Sequence, residues 1–170
     1  MSLPILHLIP LAVGVSWAIV CDLRQRRIPN AASGLVLVSG LGLQIFDNGW
    51  LAGLSGLAAS FLLLAVLYKP WTAGGIGGGD VKLATATACW VGLSQLIWFA
   101  LAAAVSGGLV AGVCYLLAPA AVKADVRANL VLAGVYGDLP PAAASHRKSR
   151  VSVPYAVAIA GGAAVALLIA

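Results

Sequence analysis

The segment "GGIGGGDVKLATATACW" (74–90) is decisive for the fold of this chain. Five of its first six residues are glycine, an aspartate follows them, and an apolar run begins directly after the aspartate. Glycine allows a backbone to turn at little steric cost, so the glycine run predicts a connector between two helices. A charged side chain is energetically expensive at the edge of an apolar segment, which indicates a function for Asp80.

The composition around this segment is that of a membrane protein. The chain has 170 residues, of which 62% are hydrophobic and 9% are charged, and its mean hydropathy is +1.03. About a quarter of the residues of a soluble domain would be charged. No internal repeat or second domain is visible, so residues 1–170 are expected to form a single all-α, polytopic membrane domain.

About six transmembrane helices are predicted, because several apolar runs have roughly the length that crosses a bilayer. No Lys or Arg precedes the first run and no small-residue cleavage site follows it, so it is expected to be a span and not a secretory signal. The only long polar segment is a loop at about 119–150, part of which has the pattern of a short amphipathic helix. The predicted spans are 3–21, 31–46, 50–68, 80–93, 95–118 and 151–170.

The basic residues predict the orientation of these spans. If the N-terminus is outside, all ten Lys and Arg residues fall in the three inner segments, 22–30, 69–82 and 119–150. This asymmetry follows the positive-inside rule, and an even number of spans also returns the C-terminus to the outside. The expected location is the bacterial inner membrane, with multiple passes.

The same rule accounts for the net charge of +5, so the lipid bilayer and not a nucleic acid is the expected partner of the basic residues. Cys21, Cys89 and Cys114 form no CxxC pair and have no metal-ligand spacing. They are expected to be small apolar side chains, and no metal site is predicted.

The acidic residues reduce the candidate chemistry to two positions. The chain has no glutamate and five aspartates, of which Asp47, Asp125 and Asp138 lie in predicted turns or loops. Asp22 and Asp80 remain, each at the cytoplasmic edge of an apolar segment. They could be interfacial end residues, with Asp80 as a helix N-cap. Two isolated acids on one membrane face also fit a catalytic pair that shares one proton.

Such a pair can hydrolyse a peptide bond without a metal or a covalent intermediate. The ionised carboxylate takes a proton from water, and the protonated one polarises the scissile carbonyl. Gly77, Gly78 and Gly79 have no side chains, so an extended peptide could approach the backbone beside Asp80. The glycine run is expected to be a mobile loop.

Three stretches together resemble a known family. "GGGD" at 77–80, followed by "VK", resembles the GxGD signature of intramembrane aspartyl proteases. "CDLRQRRIPN" at 21–30 resembles the other half of the prepilin peptidase pattern, and "RVSVPYAVAIAGG" at 150–162 is similar to that family's last span. The order and position of the motifs resemble those of type IV prepilin peptidases over essentially the whole chain.

The resemblance implies an aspartic-type endopeptidase that cuts the leader from prepilin-like precursors at the cytoplasmic face, usually after a glycine that precedes an apolar helix. Asp22 and Asp80 would be the catalytic aspartates, and no cofactor is implied. The mature pilin would pass to the pilus assembly machinery. The residues expected to shape the site are Gly77, Gly78, Gly79, Lys82, Arg27, Pro29 and Asn30.

The chain departs from the longer family members in one respect. Those members have a cytoplasmic segment with paired CxxC motifs, which is linked to methylation of the product, and residues 22–69 contain no such motif. The short form is similar to the peptidases that serve Flp or Tad pili, so cleavage is the predicted activity. Two alternatives are a preflagellin-type GxGD peptidase and a non-enzymatic channel or assembly subunit whose acids coordinate cations or fix helix packing.

Overall fold

The computed structural model describes residues 5–25, 27–136 and 155–169, and this part of the chain is helical with no strand. A short 3-10 helix, Ile5–Leu8, leads into the first α-helix. The all-α fold class is therefore confirmed. The α-helices are α1 (Ile9–Gln25), α2 (Asn30–Asn48), α3 (Trp50–Thr72), α4 (Gly78–Leu117), α5 (Ala120–Tyr136) and α6 (Tyr155–Ile169).

The helices α1, α2 and α3 run up and down beside one another. Pro29 has an extended backbone (φ −65°, ψ 139°) and precedes the first residue of α2. Its carbonyl oxygen accepts the N–H groups of Ala32 and Ser33 at 3.1 and 3.4 Å. Gly49, with φ 83°, separates α2 from α3. Short connections of this kind place consecutive helices side by side and antiparallel.

Helix α4 contains a reversal of the chain at Gly92. That residue has non-helical dihedral angles (φ 69°, ψ 178°) and divides α4 into a first part (78–91) and a second part (93–117). Asp80 and Ala104 line one pocket, although they would lie roughly 36 Å apart in a straight helix. The chain therefore turns back at Gly92, close to the turn that the sequence predicts near 93–95.

Small residues allow the helices to pack closely. A Cβ added at Gly40 of α2 would lie 2.5 Å from the Trp90 indole, and that indole donates from Nε1 to the Val36 carbonyl at 2.7 Å. A Cβ added at Gly162 of α6 would lie 2.7 Å from Cβ of Ala103. Helices without large apolar side chains at their contacts can approach in this way in a membrane.

Two helices, Trp50–Thr72 and Gly78–Leu117, are long and apolar enough to cross a membrane, each with a mean hydropathy of 2.1 in its most apolar window. Only 28% and 17% of those windows are buried inside the protein. The core helix of a soluble protein would be mostly buried. Large apolar side chains such as Phe46, Phe61 and Leu109 are instead exposed.

The helix boundaries differ from the expected spans in several places. Helix α1 continues past Asp22 to Gln25, and α3 continues through Pro70 to Thr72. Helix α5 lies in the expected loop at 119–150, where the sequence has an amphipathic pattern. The rest of that loop, 137–150, and the start of the last span lie outside the described residues.

Candidate active site

The glycine run forms a short, defined turn between α3 and α4. Gly74 has φ 76°, and its N–H donates to the Trp71 carbonyl at 2.9 Å. Gly75 donates to the Pro70 carbonyl, also at 2.9 Å. A glycine with positive φ just beyond the last helical turn is a common way to end a helix. Gly77 then has an extended backbone (φ −68°, ψ 139°) and is the N-cap of α4.

Asp80 is the third residue of α4 and is not its N-cap. Its carboxylate accepts a hydrogen bond from the backbone N–H of Gly77, the same reach from the third helical position to the N-cap that a capping box uses. A Cβ at Gly77 would lie 2.7 Å from Asp80 Oδ2. The N-cap of α4 is Gly77, so the interpretation of Asp80 as the N-cap is wrong by three positions. The Asp80 carboxylate nevertheless helps to cap α4.

The other two glycines of the motif lie in the first turn of α4, so only the stretch before them is a loop. A Cβ at Gly78 would lie 3.1 Å from the Trp71 indole nitrogen, and one at Gly79 would lie 3.1 Å from Cβ of Ile28. Gly79 therefore allows the start of α4 to lie against the connection between α1 and α2. The three glycines of the motif allow close packing and the capping of α4. The predicted mobile loop did not include these two roles.

A cleft of about 410 Å³ lies where these segments meet. Asp22 and Asp80 both line it, although they belong to different helices. Pro29 is the one predicted site residue that does not line the cleft. It is the N-cap of α2 and lies beside the cleft. Ile28 was not predicted as a site residue, although it stands inside the Ile-Pro-Asn stretch. The complete lining is Asp22, Arg27, Ile28, Asn30, Gly77, Gly78, Gly79, Asp80 and Lys82.

Asp22 lies in the last turn of α1, where its side chain is partly buried. Its Oδ2 atom is buried and has no hydrogen-bond partner. The backbone N–H of Ala156, in the first turn of α6, interacts with this carboxylate. The positive end of the α6 dipole therefore lies next to a negative charge, which is a favourable arrangement. Sequence reasoning missed Ala156, since a backbone group leaves no residue-type signal.

The two carboxylates interact with each other, because the negative charge of Asp22 acts on Asp80. Lys82 and Arg27 bring two positive charges to the same cleft. Lys82 Nζ donates to Asn30 Oδ1 at 3.0 Å and so connects the start of α4 to the start of α2. Within residues 5–25, 27–136 and 155–169, no group of three or more His, Cys, Asp or Glu side chains could hold a metal ion.

Asp47 lies at the opposite end of α2 from the cleft. It belongs to the last turn of that helix and not to a free turn, and its Oδ2 lies 2.8 Å from His7 Nδ1. This pair connects the N-terminal segment to the α2–α3 corner. Asp47 is therefore explained by its contact with His7 and not by a position in the predicted turn.

Comparisons with known proteins give an independent indication of the family. Residues 9–112, which include both aspartates of the cleft, match the model of the type IV leader peptidase family. The chain is 31% identical over 144 residues to a prepilin leader peptidase/N-methyltransferase of Bacillus subtilis (strain 168). That match covers 78% of this chain and 58% of the relative, so the chain spans little more than half of that protein. No solved structure matches the chain. The family match and this relative together show that the chain belongs to the type IV leader peptidase family.

Proposed function

We propose that the chain is a membrane aspartyl endopeptidase that removes the leader from prepilin-like precursors, with Asp22 and Asp80 as its catalytic pair. The observation that carries this proposal is the position of the two carboxylates. They are far apart in sequence, lie on different helices and line one cleft. Asp80 also experiences the charge of Asp22, as a pair that shares a proton requires.

The proposed reaction needs only these two side chains and water. One aspartate is ionised and takes a proton from a water molecule, which attacks the carbonyl carbon of the scissile bond. The other is protonated and donates a hydrogen bond to the carbonyl oxygen as negative charge develops there. The tetrahedral intermediate then collapses with cleavage of the C–N bond, as the aspartate that took the proton from water delivers it to the leaving nitrogen. The unpartnered Oδ2 of Asp22 is free to bind the attacking water.

The proposal includes a position in the membrane. Apolar side chains cover the outside of α3 and of the second part of α4, which supports a multi-pass protein in the bacterial inner membrane. Arg27 and Lys82 lie at the cleft end, which by the positive-inside rule supports a cleft at the cytoplasmic face. In this orientation both termini are outside.

The substrate is proposed from the family match and from the short connection between α1 and α2. The match to a prepilin leader peptidase supports a pilin-like precursor. The connection between α1 and α2 is only four residues long, 26–29, and has no CxxC motif. This compact form favours the Flp or Tad type of pilus, with cleavage as the activity.

Asparagine substitutions test the catalytic pair. Asp22→Asn and Asp80→Asn each keep the size of the side chain and remove its acid–base chemistry. We expect each variant to lose at least about 100-fold in the rate of precursor cleavage, the lower range for removal of a general acid or base. The measurement is the conversion of a purified prepilin-like precursor in detergent micelles, followed by mass spectrometry of the product.

Asp47→Asn is the matched control, because this aspartate pairs with His7 at the other end of the protein. It should cleave at the wild-type rate. Thermal unfolding of all three variants establishes that they fold. Normal processing by either folded cleft variant contradicts the proposal. Ion flux through liposomes that depends on Asp22 and Asp80, without any cleaved product, would support a channel instead.

A further inference from the structure

A groove of about 310 Å³ lies between α2 and the first part of α4, next to the cleft. It shares Asn30 and Lys82 with the cleft but is lined by neither of the two aspartates. Asn30 is the first residue of α2, so the groove begins at the cleft end of that helix. None of the described residues that line the groove is acidic.

The lining of this groove changes from polar to apolar with distance from the cleft. Polar side chains come first along both helices, and small or aliphatic residues follow them. The polar residues are Asn30, Ser33, Lys82 and Thr85, and the apolar ones are Gly34, Leu37 and Ala86. On each helix the lining residues share one face, because they recur at helical spacing. The groove therefore has the polarity of an amphiphile, with its polar end beside the cleft.

The polar end of the groove has hydrogen-bond donors and positive charge for an anion. Lys82 Nζ donates one N–H to Asn30 Oδ1 at 3.0 Å, and an ammonium group carries two more. The positive end of the α2 dipole lies there as well, because α2 begins at Asn30. Pro29, the N-cap of α2, has no side-chain group that could cap the free N–H groups of the first turn. An anion at this end would therefore meet donors from both helices.

The Ser33 hydroxyl is an independent indication of a ligand in the groove. Ser33 is only 7% exposed, and its Oγ has no hydrogen-bond partner among the described residues. Other buried hydroxyls of this protein are satisfied. Ser60 Oγ donates to the Thr85 carbonyl at 2.8 Å, and Thr87 Oγ1 donates to the Leu83 carbonyl at 2.9 Å. Since an unsatisfied buried hydroxyl is costly, a ligand oxygen that accepts from Ser33 would remove that cost.

We propose that the groove between α2 and α4 binds one anionic phospholipid. The lipid phosphate accepts hydrogen bonds from Asn30, Ser33 and Lys82, and an acyl chain passes along Gly34 and Leu37. The bound lipid connects the starts of α2 and α4, which border the cleft, and stabilises that end of the fold. This site goes beyond the proposed peptidase function and depends only on the proposed position in a membrane.

A phospholipid suits the groove better than a free phosphate or a polar peptide does. Either of these would leave the apolar part at Gly34 and Leu37 in contact with water. A Cβ added at Gly34 would meet no atom within 4 Å, so the groove is open at that point. The adjacent Leu35 and Val38 are 41% and 71% exposed. An acyl chain in the groove would therefore be continuous with the lipid around α2.

Native mass spectrometry of the protein in detergent micelles tests the assignment. Phosphatidylglycerol, phosphatidylcholine and inorganic phosphate are added separately and in competition. We expect the wild type to retain one phosphatidylglycerol and to bind phosphatidylcholine several-fold more weakly, because choline adds a positive charge beside Lys82. Ser33→Ala should weaken phosphatidylglycerol binding by roughly 10- to 100-fold, the effect of losing one hydrogen bond to a charged group. Gly34→Leu fills the groove and should abolish retention.

Gly42→Leu is the matched control, because a Cβ at Gly42 of the same helix also meets no atom within 4 Å and Gly42 does not line the groove. It should retain the lipid as the wild type does. Thermal unfolding without lipid detects a damaged fold. Ser33→Ala should not lower that midpoint, since it removes an unpartnered hydroxyl, but it should reduce the gain in midpoint that phosphatidylglycerol produces.

Three results would overturn the assignment. The first is equal retention of phosphatidylglycerol by the wild type, Ser33→Ala and Gly34→Leu. The second is displacement of the lipid by an equal concentration of inorganic phosphate, which would make the groove a site for a free anion. The third is unchanged lipid retention by Gly34→Leu together with weaker binding of a prepilin-like precursor, which would assign the groove to the precursor.

Discussion

Gly77, Gly78 and Gly79 each lie against a different neighbour, and this explains the glycine run better than flexibility does. Gly77 leaves space for the Asp80 carboxylate, Gly78 for the Trp71 indole and Gly79 for Ile28. A mobile connector would need none of these contacts. The close fit of these glycines sets the position of Asp80 at the start of α4, as its proposed catalytic role requires.

Gly77→Ala should lower activity more than it lowers stability. The backbone angles of Gly77 are accessible to alanine, but the new Cβ would lie 2.7 Å from Asp80 Oδ2. The carboxylate must move, and a displacement of about 1 Å at a catalytic group can reduce the rate roughly 100-fold. The measurement is kcat for precursor cleavage, with the thermal midpoint recorded in parallel.

Gly112→Ala is the comparison for this substitution. A Cβ there meets nothing within 4 Å, and alanine favours the helix by about 1 kcal/mol. It should therefore keep kcat and slightly raise the thermal midpoint. An unchanged kcat in Gly77→Ala would show that the fit between Gly77 and Asp80 has no catalytic importance.

Helix α4 is interrupted at a point where its free backbone groups find side-chain partners. The Trp90 carbonyl accepts a hydrogen bond from Gln44 Nε2 at 2.8 Å, and the Leu93 N–H donates to Ser55 Oγ at 3.2 Å. A broken helix in a membrane is tolerated only where such groups are satisfied. Gln44 and Ser55, from α2 and α3, therefore stabilise the reversal that brings the second part of α4 back toward Asp80.

Gly92→Ala should destabilise the protein by about 1–3 kcal/mol, because its combination of φ 69° and ψ 178° is accessible almost only to glycine. Space is not the limit, since the nearest atom to an added Cβ would be Ser55 Oγ at 3.5 Å. The measurement is thermal or denaturant unfolding in detergent. Gly108→Ala, in a helical position with no atom within 4 Å of the new Cβ, should be neutral or stabilising. Equal stability of the two variants would contradict the strain at Gly92.

The molecule as a whole has two chemically different ends. One end holds the cleft with Asp22, Asp80 and Lys82, and the other holds the His7–Asp47 pair. Consecutive helical segments run between the two ends. The polar groups of the site therefore lie at one edge of an apolar bundle.

The orientation of these ends can be measured by labelling single cysteines. In a variant without Cys21, Cys89 and Cys114, we expect Asn48→Cys to react with a membrane-impermeant maleimide in intact spheroplasts. Gln25→Cys should react only after permeabilisation, since it lies at the cleft end of α1. The positive-inside rule is the physical reason. The reverse pattern would place the cleft outside and contradict the proposed cytoplasmic cleavage.

The sequence by itself determined the helical class, the approximate spans and the pair Asp22 and Asp80. Apolar runs of about the length of a span follow one another along the chain, and it has so few acidic residues that the two at the edges of apolar segments are conspicuous. The tertiary structure decided the rest: the place of Asp80 within the first turn of α4, the contact of Ala156 with Asp22, the neighbours of the three glycines, and the groove between α2 and α4. These features depend on which helices lie side by side, and a linear pattern of residue types does not contain the distances between segments that are remote in sequence.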